Sequence, residues 1–120
     1  MAYYAIDVPH WLGMIRMVIV ETTLFTNQVL RAIPDDLYAK LQEHLSDFPD
    51  SGDLLRGGSG LRKLRWSTTD GGKSGGVRVI YFWRRRFDQV YLIYLFAKNK
   101  RANLTSSQLH RLAKAARELK

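Results

Sequence analysis

Four cationic side chains occupy positions where a folded protein could hold a reactive group. Lys63 and Arg65 are two residues apart in a short basic stretch, so on a β-strand they would leave the same face about 7 Å apart. Arg78 interrupts an apolar stretch, and a cation at such a position should emerge at a surface that favours positive charge. Lys98 directly follows a long apolar run, where a rigid element ends and can position a side chain.

Cleavage of RNA without a metal ion is one reaction that such a set of cations can perform. A base must remove the proton of a 2′-hydroxyl, the pentacoordinate phosphorane must be stabilised, and an acid must protonate the leaving 5′-oxygen. Repulsion among crowded cations lowers the pKa of a lysine toward base function, and arginines stabilise the growing negative charge. The alternative interpretation is a solvated or simple phosphate-binding face, which is the more frequent origin of a basic stretch.

The positive charge of the chain is concentrated in one segment. The 120 residues carry a net charge of +8, but the segment from Arg56 to Arg101 has twelve Lys and Arg against Asp70 and Asp88. This segment alone therefore carries +10, and the rest of the chain carries −2. Such a field attracts polyanions, of which nucleic acid is the commonest, although an acidic membrane surface or protein would also respond to it.

Neither a metal site nor a cofactor site is predicted. The three histidines, His10, His44 and His110, lie outside the basic segment and lack the spacing of metal ligands. Carboxylates, which build two-metal nuclease sites, are almost absent from the segment. No stretch matches a P-loop or a dinucleotide-binding fingerprint. We therefore expect any enzymatic activity to need neither metal nor cofactor.

The remaining composition favours a cytoplasmic protein. The chain has no cysteine and no apolar run approaching the length of a membrane-spanning helix. Its first residues lack the basic region and clean apolar stretch of a signal peptide. We expect a cytoplasmic location and no membrane partner.

The hydrophobic pattern predicts one domain with the element order β-α-α-β-β-β-α. Predicted strands are Met17–Thr23, Leu61–Trp66, Val77–Trp83 and Gln89–Ala97. Predicted helices are a short one near Thr26–Ala32, one that opens at Pro34-Asp35-Asp36 and ends at Pro49, and one that begins at the capping box Thr105–Gln108. We assign residues 17–120 to this domain and residues 1–16 to an N-terminal extension of uncertain role.

The pattern makes three more detailed predictions. In the second helix, Leu37, Leu41, Leu45 and Phe48 should share one face. In the strand Leu61–Trp66, Lys63 and Arg65 should face away from Arg62, Leu64 and Trp66. The run Arg84-Arg85-Arg86 is interpreted as a charged turn between two strands.

Three motifs, in order, resemble the RelE superfamily of toxins, and most closely its HigB-like branch. They are Gly60–Arg65, Lys73–Tyr81 and Leu95–Asn99. The similarity extends from about Met17 to the C-terminus. It implies a compact α+β fold, in which an antiparallel sheet follows two N-terminal helices and precedes one C-terminal helix.

The resemblance also implies a function and partners. RelE-like proteins are toxins of type II toxin-antitoxin systems that cleave mRNA in the ribosomal A site and so inhibit translation. The implied partners are mRNA on the ribosome and a cognate antitoxin, which we expect to be a helix-turn-helix protein encoded nearby. The alternative is a non-catalytic RNA- or ribosome-binding module that uses the same basic face.

Carried over motif by motif, the resemblance gives the cations distinct roles. Lys63 and Arg65 match positions that supply the general base and phosphate contacts, and Arg78 matches the transition-state arginine. Asn99 stands where some members have an arginine proposed as the general acid, which leaves Lys98, Lys100 and Arg101 as candidates. The predicted catalytic residues are Lys63, Arg65, Arg78 and Lys98, and the predicted substrate-binding residues are Arg62, Lys73, Asn99, Lys100 and Arg101.

Overall fold

A computed structural model describes residues 3–9, 16–68, 76–98 and 103–119 of the chain. In this part, a six-stranded sheet lies between two helices on one face and one helix on the other. The elements are β1 (Tyr3–Pro9), β2 (Arg16–Thr22), α1 (Thr23–Ala32), α2 (Asp35–Asp47), β3 (Asp53–Leu54), β4 (Leu61–Trp66), β5 (Val77–Arg84), β6 (Gln89–Ala97) and α3 (Ser106–Glu118). The α+β class and the predicted order of the main elements are confirmed.

The strand order is β1-β2-β6-β5-β4-β3, and one pairing differs from the expected antiparallel sheet. The β2–β6 pair is parallel, whereas the other pairs among the described strands are antiparallel. The sheet is therefore mixed. Short connections impose an antiparallel direction on neighbouring strands, but the long route from β2 to β6 runs through both N-terminal helices and imposes none.

Alternation along β5 divides the core into two layers. Val79 and Tyr81 are fully buried on the side covered by α1 and α2. Ile80 and Phe82 are buried on the opposite side, beneath α3. Because both faces of the central strands are covered, their sequences read as nearly continuous apolar runs.

The helices begin and end where local side chains satisfy the backbone. Helix α1 starts at Thr23, earlier than expected, because the Thr22 side chain accepts a hydrogen bond from the Phe25 amide. The capping box at the start of α3 is present as predicted, with Thr105 and Gln108 bonding reciprocally. No helix in the described ranges has the length and apolarity needed to cross a bilayer.

The apolar face of α2 is shorter than the sequence suggested. Leu37, Leu41 and Leu45 are buried as predicted, but Phe48 is 57% exposed. The helix ends at Asp47, and Phe48 adopts a non-helical backbone conformation with φ of −133°. Helical periodicity therefore no longer sets the direction of its side chain, which contacts the His44 ring instead.

Strand β6 contains a β-bulge in its pairing with β5. The register jumps between Ile80 and Tyr81 of β5, which leaves Ile93 of β6 without a cross-strand partner on β5. The Ile93 carbonyl accepts a hydrogen bond from Thr22 Oγ1 at 3.0 Å. The Leu95 amide donates to Gln28 Oε1 at 2.8 Å. The pairing of β6 with β2 ends at Leu92. Beyond that residue, side chains of Thr22 and Gln28 bond backbone groups of β6 that no described strand pairs with on that side.

The loop after α2 is held against the sheet by a buried tyrosine. Tyr81 Oη donates to the Pro49 carbonyl at 2.8 Å and accepts from the Gly52 amide at 2.9 Å. A Cβ on Gly52 would lie only 2.8 Å from the Tyr81 ring, so a glycine is needed for this approach. Burial raises the pKa of Tyr81 above its ordinary value, although its hydrogen bond from Gly52 acts in the opposite direction.

Candidate functional site

Lys63, Arg65 and Arg78 lie on one face of the sheet, across the junction of β4 and β5. In the antiparallel register, Lys63 is opposite Ile80 and Arg65 is opposite Arg78. Directly opposed residues share a face, and Ile80 belongs to the layer beneath α3. The predicted alternation of β4 is therefore confirmed, and we call these three residues the cationic cluster.

Arg78 is the buried member of the cationic cluster. Its side chain is 7% exposed, although the sequence suggested that it would emerge at the surface. Strands pair with β5 on both sides at this position, with Arg65 and Phe96 as its cross-strand neighbours. Among the described residues, Arg78 Nη1 donates a long hydrogen bond of 3.4 Å to the Val77 carbonyl.

The charge of Arg78 is disfavoured by its surroundings. Burial is the main cause that lowers its pKa, and the positive charge of Arg65 lowers it further. A buried cation that has no acidic partner among the described residues and lies beside another cation is unfavourable, and a bound anion would relieve both effects. The cluster is therefore suited to a phosphate group.

Lys63 is held by a residue that sequence reasoning did not identify. Its Nζ donates a hydrogen bond to Asn103 Oδ1 at 2.7 Å. The two residues are 40 positions apart in the chain, and no local pattern connects them. Asn103 therefore lies beside Lys63 at the cationic cluster.

Lys98 lies at the end of the sheet nearest the cluster. Its amide donates to the Gly76 carbonyl at 3.2 Å, just beyond the paired residues Val77 and Ala97, and its side chain is exposed. Gly76 has φ of +69°, and a Cβ there would clash with the Trp66 carbonyl oxygen. This glycine allows β5 to begin tightly against the end of β4.

Arg62 lies on the other face of β4 and is used structurally. Its Nη1 donates to the carbonyls of Asp50 at 3.0 Å and Gly52 at 2.8 Å. Trp66 lies on the same face, and its indole N–H donates to the Leu37 carbonyl of α2. The structure thus separates Arg62 from the cationic cluster.

The other predicted substrate contacts lie outside the described residues. They are Lys73, Asn99, Lys100 and Arg101. Asn99–Arg101 follow Lys98 directly in the chain, and Lys73 precedes Gly76 by three positions. In the part of the chain that is described, no group of three or more His, Asp or Glu side chains is arranged to share a metal ion.

A comparison with protein families identifies the class of protein. The model of the family described as the RelE toxin of the RelE / RelB toxin-antitoxin system matches residues 31–120, which is three quarters of the chain. The chain belongs to the RelE toxin family. The match contains the whole cationic cluster, Asn103 and Lys98.

Membership in the RelE family has two general consequences. RelE toxins generally cleave mRNA, and a RelE toxin implies an antitoxin partner. The matched residues begin after strands β1 and β2. Strand β2 nevertheless pairs with β6, which lies within the matched residues.

Proposed function

We propose that this RelE toxin is a metal-independent, ribosome-dependent endoribonuclease of the HigB-like branch that cleaves mRNA in the cytoplasm. The observation that supports the proposal is the burial of Arg78 beside Arg65, on the face that Lys63 also occupies. A surface that only attracts RNA can keep its cations solvated. A buried arginine without a counter-ion is unfavourable until negative charge develops next to it.

In the proposed reaction, Lys63 accepts the proton of the 2′-hydroxyl, and Asn103 positions its amino group. The 2′-oxygen attacks the adjacent phosphorus, which forms a 2′,3′-cyclic phosphate and breaks the bond from phosphorus to the 5′-oxygen. Arg65 binds the phosphate, and Arg78 stabilises the phosphorane. Lys98 is the described candidate for protonating the leaving 5′-oxygen, and Lys100 and Arg101 are the others.

The proposal includes the regulation of the toxin. A free ribonuclease of this kind would arrest its host, so its partner must neutralise it. We assign this role to an antitoxin encoded nearby, a helix-turn-helix protein with acidic residues suited to the +10 segment from Arg56 to Arg101.

Product chemistry tests the proposed reaction. The toxin, stripped by dialysis against EDTA, is added to ribosomes that carry a defined mRNA, and the new RNA ends are mapped. We expect the stripped toxin to cleave as fast as the untreated one and to leave a 5′-hydroxyl and a cyclic phosphate or its opened product. A 2′-O-methyl group at the cleaved nucleotide should abolish cleavage because it removes the nucleophile.

Two outcomes would overturn the proposed reaction. Cleavage directly after the 2′-O-methyl nucleotide would mean that water, not the 2′-hydroxyl of the RNA, supplies the nucleophile. Activity that is lost after stripping and restored by added Mn²⁺ would mean that the toxin carries a catalytic metal.

A further inference from the structure

The turn between β5 and β6 combines three arginines with two aromatic rings. The guanidinium carbons of Arg84 and Arg86 lie 4.2 and 5.1 Å from the centre of the Phe87 ring. The guanidinium of Arg85 lies 5.5 Å from the Trp83 ring. Residues 83–87 therefore form a stacked surface, which we call the arginine–aromatic turn. Phe87 is 47% exposed, so the stack is open to solvent.

Within the described ranges, no carboxylate pairs with the charges of this turn. Within the described residues, none of its three guanidiniums has an acidic partner, and Arg84 Nη1 bonds to the neutral Gln89 side chain at 3.4 Å. In the same part of the chain, Arg84 Nε and Trp83 Nε1 are buried without a hydrogen-bond acceptor. The exposed guanidiniums of Arg85 and Arg86 can therefore bind an anionic ligand without first breaking an ion pair with a described residue.

The turn is too far from the cationic cluster to share its phosphate. Lys63 of the cluster lies opposite Ile80, and Arg84 follows Ile80 by four residues of extended strand, which corresponds to about 13 Å. Arg85 follows Arg78 by seven residues, or about 23 Å. A ligand that contacts both sites must therefore be long, or two segments of a large ligand must be bound.

We propose that the arginine–aromatic turn is a second RNA-binding surface, in which the guanidiniums bind backbone phosphates and Phe87 stacks on a base. This inference rests on the proposed action of the toxin on RNA. Guanidiniums beside an exposed ring match both parts of a nucleotide, the charged phosphate and the flat base. An acidic protein segment would use the charges but not the exposed part of the Phe87 ring. The turn should contribute to binding and leave the chemical step unchanged.

The direct test is binding of RNA that cannot be cleaved. The probes are a single-stranded 2′-O-methyl RNA of 20 nucleotides and vacant ribosomes, and the variants are Arg85→Ala/Arg86→Ala and Phe87→Leu. The double variant Arg31→Ala/Lys40→Ala removes the same charge from exposed positions on α1 and α2 and serves as the matched control.

We expect the arginine variant to bind the single-stranded probe more weakly and with a shallower salt dependence. Each phosphate contact to a single strand contributes about 0.7 to the slope of log K against log salt, so two lost contacts lower it by about 1.4. Loss of base stacking in Phe87→Leu should weaken binding about fivefold or more. The control should retain the wild-type slope. Weaker binding to the oligonucleotide identifies mRNA as the ligand, and weaker binding to ribosomes alone identifies ribosomal RNA.

Unchanged affinity and salt slope for both probes in both variants would overturn the inference. It would also be overturned if the variants lost binding to the antitoxin while RNA binding stayed at the wild-type level. Thermal unfolding confirms that each variant is folded, and Phe87→Leu provides a second test if the arginine variant is not. Because neither probe is cleaved, this result is independent of whether the cationic cluster is catalytic.

Discussion

Arg78, the proposed transition-state residue, lies in surroundings that disfavour its charge in the free protein. It is buried, it opposes Arg65 across the β4–β5 pair, and its pKa is lowered by both effects. Structural arginines that are buried usually have a carboxylate or several carbonyls around them. The surroundings of Arg78 instead favour the arrival of an anion, which is the arrangement expected of a group that stabilises a transition state.

This interpretation predicts that Arg78→Met stabilises the free protein while it removes activity. An apolar side chain of similar length avoids the burial of a charge, so we expect the free energy of unfolding to rise by about 1 kcal/mol. For a domain of this size, that is a rise in Tm of about 4 °C, which thermal unfolding followed by circular dichroism would detect. The exposed Arg65→Met should change Tm less. A lower Tm for Arg78→Met would mean that its charge is satisfied in the free protein.

At the residue scale, the sequence predicted which face of a strand a side chain occupies better than it predicted which residues surround that side chain. Alternation along β4 was enough to place Lys63 and Arg65 on one face and Arg62 on the other, because the period of a strand is local. The burial of Arg78 and the contact between Lys63 and Asn103 depend on which strands and loops become neighbours. Single-residue patterns carry no information about such contacts.

At the element scale, the main strands and helices followed from apolar periodicity and turn residues. Strands β4 and β6 have the predicted bounds, and α3 begins at the predicted capping box. The parallel β2–β6 pair and the bulge at Ile93 were not predicted. The parallel pair depends on how a distant strand inserts beside β6, because β2 is separated from it by most of the domain. The bulge shifts the pairing of β5 and β6 by one residue, and the apolar pattern of two strands buried on both faces does not specify their register.

The anchor at Tyr81 gives a prediction for the connection between α2 and the sheet. Tyr81→Phe leaves the Pro49 carbonyl and the Gly52 amide without their partner, which should lower the free energy of unfolding by about 1–3 kcal/mol. Denaturant unfolding at neutral pH measures this loss. A variant as stable as the wild type would show that the loop is held by other contacts.

The same residue gives the stability a dependence on alkaline pH. The pKa of Tyr81 is higher in the folded protein than in the unfolded chain. Its contribution to the free energy of unfolding is therefore complete below about pH 10, the pKa of an unfolded tyrosine. As pH rises above that value, the unfolded chain releases a proton that the folded protein keeps, so stability falls. We expect a smaller fall in Tyr81→Phe, measured as unfolding free energy between pH 9 and about pH 11.

At the scale of the whole molecule, the sheet distributes the basic segment over two separate surfaces. The cationic cluster lies where β4 and β5 pair near Lys98, and the arginine–aromatic turn lies at the other end of β5. Composition alone predicted the positive field of the segment from Arg56 to Arg101 and its attraction for polyanions. It did not predict this division, because charge counts along a chain contain no distances. The boundary between residues 1–16 and the toxin domain stays a prediction.

We propose that Arg78 acts on the reaction and not on binding. The most direct measurement is the single-turnover rate of mRNA cleavage by Arg78→Ala on saturating ribosomes, together with its dissociation constant for the ribosome. We predict a rate about a hundredfold to a thousandfold below the wild type, a dissociation constant near the wild-type value, and wild-type behaviour of the exposed control Lys40→Ala. Cleavage by Arg78→Ala at the wild-type rate, or a loss explained entirely by weaker binding, would contradict the account.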